Sequence, residues 1–272
     1  MENGTKIKSV KIYQCGYCIN NLGSIYSSYF FDNTMFYALV FLIEHKELGY
    51  MLYDAGYSDR IYENGIVSKV YNKLNKTVVT TDIVRQLECD GIKPCDIKHI
   101  ILSHAHPDHI GCLKDFDYTK TDILSTQDVF DTLRKHKLKD LVFKNMVPEH
   151  FVCRAVDTNR SHHINDEIVM DFIDIFGFVM DIFGDGSLFG VRLDGHAKGQ
   201  LGIYIPDKKL FLAADATWGK KYIDDVIYMK VGAKRIQNNF EMYLNTIDKI
   251  QKLMAWRPEI DVIFSHDNRG LL

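Results

Sequence analysis

The chain has 272 residues, 46% of them hydrophobic and 25% charged, an ordinary balance for a globular protein with material for a sizeable core. Its 33 basic and 36 acidic residues leave a formal charge of −3, so no global electrostatic case exists for nucleic acid or an anionic membrane as a partner. Only 5 prolines and 18 glycines occur, and no low-complexity linker breaks the chain, which is therefore expected to be one domain over residues 1–272.

The amino-terminal MENGTKIKSVKIYQ lacks the apolar run and cleavage pattern of a secretory signal, so a cytoplasmic location is expected. Lys8 to Gln14 alternates like a half-buried strand, whereas Phe36 to Ile43 is continuously apolar, as in a strand covered on both faces. Between them, residues 22–37 are rich in aromatics and offer one candidate roof for an apolar pocket; residues 137–154 offer another. Tyr50 to Tyr53 reads as a strand ending in Asp54-Ala55-Gly56. Helices are expected over 59–75 and over 81–90, the second capped by Thr81 or Asp82. A short strand, His99 to Leu102, is followed by a helix at 126–136.

In the second half, residues 167–176, 178–183, 187–193, 201–205 and 209–214 read as strands separated by Gly or Asp turns. A helix at 239–255 carries Phe240, Tyr243, Leu244, Ile247, Ile250 and Met254 on one stripe, with Asn238 or Asn239 as its cap and Pro258 beyond its end. A last strand, Asp261 to Phe264, runs into Ser265-His266-Asp267. The most apolar stretch, EIVMDFIDIFGFVMDIFGDG, is interrupted by Asp171, Asp174, Asp181 and Asp185, which argues against a membrane span.

Six cysteines without a signal read as reduced thiols. Cys15 and Cys18 form a C-x-x-C with no second pair at zinc-site spacing, so no metal is expected there. His162-His163 lies in a polar loop and reads as solvated surface; His45, His99, His136 and His150 have no supporting pattern.

The stretch ILSHAHPDHIGCL is different. His104, His106, Asp108 and His109 crowd six positions directly after an apolar strand. A buried structural histidine needs one partner, so four such donors together point to a cation. Alternate residues leaving a strand can converge on one focus, and His109, pointing elsewhere, suits a second ion nearby. Further polar groups able to bind metal, Asp54, His196, Asp215 and His266, also stand where apolar strands end.

The motif His-x-His-x-Asp-His resembles the signature of the metallo-β-lactamase superfamily. Asp54-Ala55-Gly56, Asp194-Gly195-His196, Ala214-Asp215 and Ser265-His266-Asp267 follow in the order that family shows, so the resemblance covers nearly the whole chain. It implies an α+β fold, an αβ/βα four-layer sandwich of two mixed sheets flanked by helices. It also implies two divalent metal ions, zinc foremost, with iron, manganese or cobalt as alternatives for a nitrogen and oxygen donor set. Carried over position by position, His104, His106 and His196 hold one ion, Asp108, His109 and His266 the other, and Asp215 bridges them. Asp108 also serves as a catalytic, proton-relaying carboxylate, and Asp54 supports a histidine without ligating. The chemistry implied is hydrolysis by a metal-bridging hydroxide. Flavo-diiron relatives carry a glutamate where His106 stands, which argues against redox chemistry.

Within the superfamily the chain looks most like the N-acyl-homoserine lactonase group, in the layout from LFLAADATWG to VIFSHD. Lactonases usually place a tyrosine three residues after the bridging aspartate; here that position is Trp218, whose indole N–H can donate but not titrate. Tyr222 or Tyr228 is a candidate replacement for the phenol, and Trp218 and Tyr222 are the candidate substrate contacts. The turn Asp194 to Gln200 also departs from the lactonase pattern, lacking its proline and threonine. The leading expectation is a hydrolase of a small-molecule ester, lactone or thioester, acting as a monomer or homodimer without nucleic acid or membrane. The alternatives are a phosphodiesterase or nuclease of the same fold, and a metal-holding protein without turnover.

Overall fold

The computed structural model describes residues 5–63, 65–137, 140–156 and 166–269, and the expected surface pair His162-His163 lies outside them. Two sheets organise the chain. The first has six strands in sequential order: β1 (Ile7–Asn21), β2 (Asn33–His45), β3 (Gly49–Tyr53), β4 (Ile97–Ile101), β5 (Asp122–Ser125) and β6 (Cys153–Ala155). Its first three strands pair antiparallel, while β3 to β6 run parallel. The second sheet has five, ordered β11 (Asp261–Ile263), β10 (Leu210–Leu212), β9 (Leu201–Ile205), β8 (Phe189–Arg192) and β7 (Val179–Asp181), with only the β10–β11 pair parallel.

The two sheets face each other over one apolar layer. In β2 the pleat sends Tyr37, Leu39, Phe41 and Ile43 into that layer, where they meet Leu201, Ile203 and Leu212 of the other sheet. The intervening Ala38, Val40 and Leu42 point to the opposite face, against Leu87, Val129, Phe130 and Leu133 from helices α3 (Ile83–Cys89) and α5 (Gln127–Lys135). Both faces are therefore dry, which is why this strand reads as an unbroken apolar run. On the outer face of the second sheet, Phe172 of α6 (Glu167–Phe176) and Tyr243, Ile247 and Ile250 of α8 (Phe240–Trp256) cover Tyr204 and Phe211. Helix, sheet, sheet, helix is the four-layer α+β sandwich expected. Among the described residues no helix is long and apolar enough to cross a membrane.

The remaining helices are short or peripheral: α1 (Leu22–Ile25), α2 (Gly65–Asn75), α4 (Pro107–Ile110) and α7 (Val231–Ile236). Several elements differ from expectation. Residues 167–176, expected as a strand, form α6. Asp166 caps it by accepting from the N–H groups of Ile168 and Val169, Gly177 ends it at φ +83°, and the buried Val169, Phe172 and Ile175 recur every three residues. Residues 59–75 divide into a short 3-10 turn at Asp59–Tyr62 and α2. Within residues 22–37 and 137–154, Leu22, Tyr26 and Phe36, and likewise Phe143, Met146 and Val147, are core, whereas Phe30 and Phe31 are exposed.

Candidate metal centre

Every strand that ends near the centre delivers its polar residue through a turn pinned by backbone bonds. After β3, Asp54 sits at φ +65°, its N–H donating to Ile101 O (2.9 Å). This left-handed geometry is one that Asp tolerates better than most residues. After β4, Leu102 and Ser103 lead to His104, and His106 precedes Pro107, the first residue of α4, where a missing N–H costs nothing. That one turn of helix carries Asp108 and His109, and Ala55 N–H donating to His109 O (2.8 Å) ties it to the end of β3. Gly111 is obligatory: a Cβ there would stand 2.4 Å from Gly56 O and 2.5 Å from Ser58 N.

From the second sheet, Gly195 turns at φ +134°, and a Cβ on it would lie 2.3 Å from the backbone N and Cα of Tyr243. Helix α8 is thus pressed against the turn that presents His196. Asp215 follows β10 and His266 follows β11, with Ser265 N–H donating to Ala214 O (3.0 Å) to hold the two loops together.

The result is two clusters of buried donors. His104, His106 and His196 form one, and Asp108, His109, Asp215 and His266 the other; within each, one potential ligand atom per residue lies within 4.8 Å of the rest. His106 Nδ1 faces His196 Nε2 at 3.0 Å. Asp215 sits between the clusters, its carboxylate 2.9 Å from His266 Nε2, 3.3 Å from His109 Nε2 and 3.5 Å from His196 Nε2. Asp108 is 3.5 Å from His109 Nε2 and 3.6 Å from His266 Nε2.

The outward nitrogens are anchored. His109 Nδ1 lies 2.8 Å from Asp54 Oδ2, and Asp54 also accepts from the N–H and the hydroxyl of Ser103, each at 2.8 Å. His104 Nδ1 is 3.0 Å from Ser103 Oγ, His196 Nδ1 2.8 Å from Gln237 Oε1, and His266 Nδ1 meets the carbonyl of Tyr37. Of the inward atoms, His196 Nε2 and His266 Nε2 meet only other members of the centre, His106 Nδ1 and Asp215 Oδ2. Among the described residues, His104 Nε2, His109 Nε2 and Asp215 Oδ1 are buried without a hydrogen-bond partner. Buried imidazole nitrogens with no well-formed hydrogen bond, each with its other nitrogen held, fit cation ligands. Ser103 and Gln237 were not evident from sequence. Ser103 belongs to the visible motif, but Gln237 lies 41 residues from His196 and has no local signal.

Charge inside the cluster is divided. Burial drives His104 well below the ordinary imidazole range, and burial together with the His196 charge takes His106 down to about 3. Burial opposes the charge of His109 and His266 as well, but carboxylates prevail: Asp108, Asp54 and Asp215 hold His109 well above its usual value, and Asp215 lifts His266 to about 9. Against its own burial, Asp215 is held well below the carboxylate range by His266 and His109. A cation entering the second cluster takes the place of those protons.

Cys15 and Cys18 are buried free thiols that belong to neither cluster, and burial raises Cys18 to about 12. Trp218 stands edge-on to His196 (ring centroids 6.2 Å) and to Phe36 (6.4 Å). Tyr222 is buried against Phe36 and Tyr26, whereas the side chain of Tyr228 is half exposed and takes no part in the centre.

A profile of the metallo-beta-lactamase superfamily matches residues 33–266. The chain belongs to the metallo-β-lactamase superfamily. As a superfamily hydrolase it shares its fold with solved N-acyl homoserine lactone hydrolases at low identity. One, bound to the product N-hexanoyl-L-homoserine at its catalytic metal centre, is 18% identical over 98% of this chain and 96% of its own, with a TM-score of 0.71. A B. thuringiensis protein with N-decanoyl-L-homoserine at its active site gives the same identity, coverage and TM-score. A dizinc quorum-quenching lactonase is 15% identical over 96% and 87% of the two chains, with a TM-score of 0.64. Comparison with curated protein sequences gave no significant match.

Proposed function

We propose that this superfamily hydrolase cleaves an ester-type bond, in a lactone or a thioester, at two divalent metal ions, zinc being the best fit to the donors. The observation that carries the reading is Asp215, whose carboxylate lies within 3.5 Å of a histidine from each cluster. His104, His106 and His196 would hold one ion, Asp108, His109 and His266 the other, and Asp215 both. Bound there, the ions would supply Lewis acidity for the substrate's carbonyl and would lower the pKa of a nearby water.

The chain's own groups do the rest. Ser103, Asp54, Gln237 and the Tyr37 carbonyl fix the imidazoles so that their free nitrogens converge. Asp108, on the first turn of α4 with its carboxylate facing His109 and His266, would steer and pass on a proton. Trp218 stands edge-on to His196 of the first cluster; its indole could shield the reacting bond and donate a hydrogen bond, but it cannot titrate. The buried hydroxyl of Tyr222 makes no hydrogen bond among the described residues, and it is the candidate phenol on this side.

The test is elemental analysis of purified protein and of His106→Ala, followed by hydrolysis assays on N-hexanoyl-homoserine lactone, an acyl thioester and bis(4-nitrophenyl) phosphate. About two metal equivalents, clearly fewer in the variant, and turnover of an ester-type substrate are expected. Less than half an equivalent after reconstitution in both forms, or turnover of the phosphodiester alone, overturns the reading.

A further inference from the structure

A cavity of about 640 Å³ opens beside His266, the residue whose other face meets Asp215. Its floor is aromatic and polar, with Tyr37, Tyr222, Asn33 and Thr34, but its charges set its character. Three cations line it, Lys220, Lys221 and Arg269, against two carboxylates, Asp261 and Asp267. Both carboxylates are already engaged. Asp261 takes both terminal nitrogens of Arg269 (3.1 and 3.0 Å), and Asp267 accepts the backbone N–H of Lys220 (2.7 Å) and that of Phe264 (3.0 Å).

The lysines are left over. Among the described residues neither forms an ion pair; the Lys221 ammonium rests over the Tyr222 ring, 4.7 Å from its centroid. Gly219, at φ +134°, makes the turn that brings the pair to the cavity wall, and a Cβ there would sit 3.3 Å from Tyr222 and 3.5 Å from the Asp267 carboxylate. A chain with a formal charge of −3 thus presents unpaired ammonium groups in a hollow next to its candidate hydrolytic centre. A hollow whose lining is net positive, with its carboxylates already engaged, concentrates anions.

Resting on the hydrolase reading above, we infer that this cavity is an anion subsite: the ester cleaved here carries a carboxylate or phosphate that Lys220 and Lys221 bind while its carbonyl lies at the metal centre. The N-acyl homoserine lactones for which the neighbouring hydrolases are named are neutral before the ring opens, so a subsite of this kind would separate this chain's substrate from theirs. Charge-assisted hydrogen bonds from two ammonium groups are worth at least roughly tenfold in discrimination at a half-open site.

The experiment uses the metal-reconstituted full chain and a matched pair of esters, 4-nitrophenyl butyrate and mono-4-nitrophenyl glutarate. The anionic ester is expected to lead in kcat/KM by about tenfold or more, chiefly through KM, and the lead should shrink with added salt. In the Lys220→Gln/Lys221→Gln double variant the ratio should fall to within about threefold of unity. Calorimetric titration with glutarate and with ethyl phosphate, on both proteins, reads the subsite without turnover and shows which anion it prefers. Equal use of the two esters by the wild type, or a preference the double variant retains, overturns the inference. If neither ester is cleaved, the hydrolase reading suffers while the titrations still decide the subsite: anion binding lost in the double variant upholds it, and binding absent or unaffected by the substitutions refutes it.

Discussion

Asp54→Asn isolates the contribution of one oriented imidazole. Asp54 is fully buried and accepts three hydrogen bonds at 2.8 Å, two from Ser103 and one from His109 Nδ1. For His109 to offer Nε2 to a cation, its proton must sit on Nδ1 and face an acceptor. Asparagine keeps the volume and tolerates φ +65°, and its oxygen can still take the Ser103 N–H. Its NH2 group, however, confronts His109 Nδ1 and favours the tautomer with the proton on Nε2. One charge-assisted hydrogen bond is lost, about 2 kcal/mol, which for a chain of this size is a fall in Tm of roughly 4–8 °C. The effect on the metal is larger in proportion: orienting partners of this kind are worth about 10–100-fold in affinity. Zinc competition against a chromophoric chelator on stripped protein should therefore show one equivalent weakened by that factor and the other much less. Two equivalents bound as tightly as in the wild type would refute the claim that Asp54 sets the tautomer of His109.

Two further expectations concern the scaffold. Gly195→Ala forces a Cβ to within 2.3 Å of the α8 backbone, whereas Gly91→Ala, at φ +77°, meets nothing within 4 Å. The first should cost at least about 3 kcal/mol in urea unfolding and the second only about 1, and similar costs would show that α8 yields easily. Stripped of metal, the protein should also have a bell-shaped stability profile. His106, depressed to about 3, stays neutral when folded while the unfolded chain takes up its proton near 6.5, so stability falls as pH drops from about 6.5 towards 3. His266, raised to about 9, contributes stability that is present below 6.5 and lost as pH rises through 9. A Tm that climbs steadily from pH 5 to 9 would contradict these two shifts.

How much of this was legible beforehand depends on how local each signal was. The donors in His104 to His109 announce themselves because six residues carry four of them, and the structure gathers these with His196, Asp215 and His266 into two clusters. The strand β2 was legible from a continuous apolar run because both of its faces are buried. Helix α6 was not. Its sequence EIVMDFIDIF is equally apolar on a period of two or three, and only the cap at Asp166 and the contacts of Phe172 with Tyr204 and Phe211 decide the matter. Asp166 is visible in the sequence, but the β-branched composition of the stretch favours a strand. Gln237 was illegible for another reason: it finds His196 only because α8 folds back against Gly195. The cavity cations belong with it, since Lys220 and Arg269 are far apart in the chain and meet only through the loop ends of β10 and β11.

The two sheets contribute unequally but jointly to the donor clusters: His104, His106, Asp108 and His109 follow the first, and His196, Asp215 and His266 the second. An ion held in common by such groups would act as a removable rivet between two plates, with its head at one rim of the sandwich. At one hundred times its dissociation constant, a ligand of the folded state adds about 2.7 kcal/mol, and here that energy resists the plates sliding or parting. Loss of metal would therefore loosen the rim first and leave the apolar layer between the sheets as the last grip. Supply of the ion would thus set how firmly the rim of the sandwich is held, quite apart from any chemistry performed there.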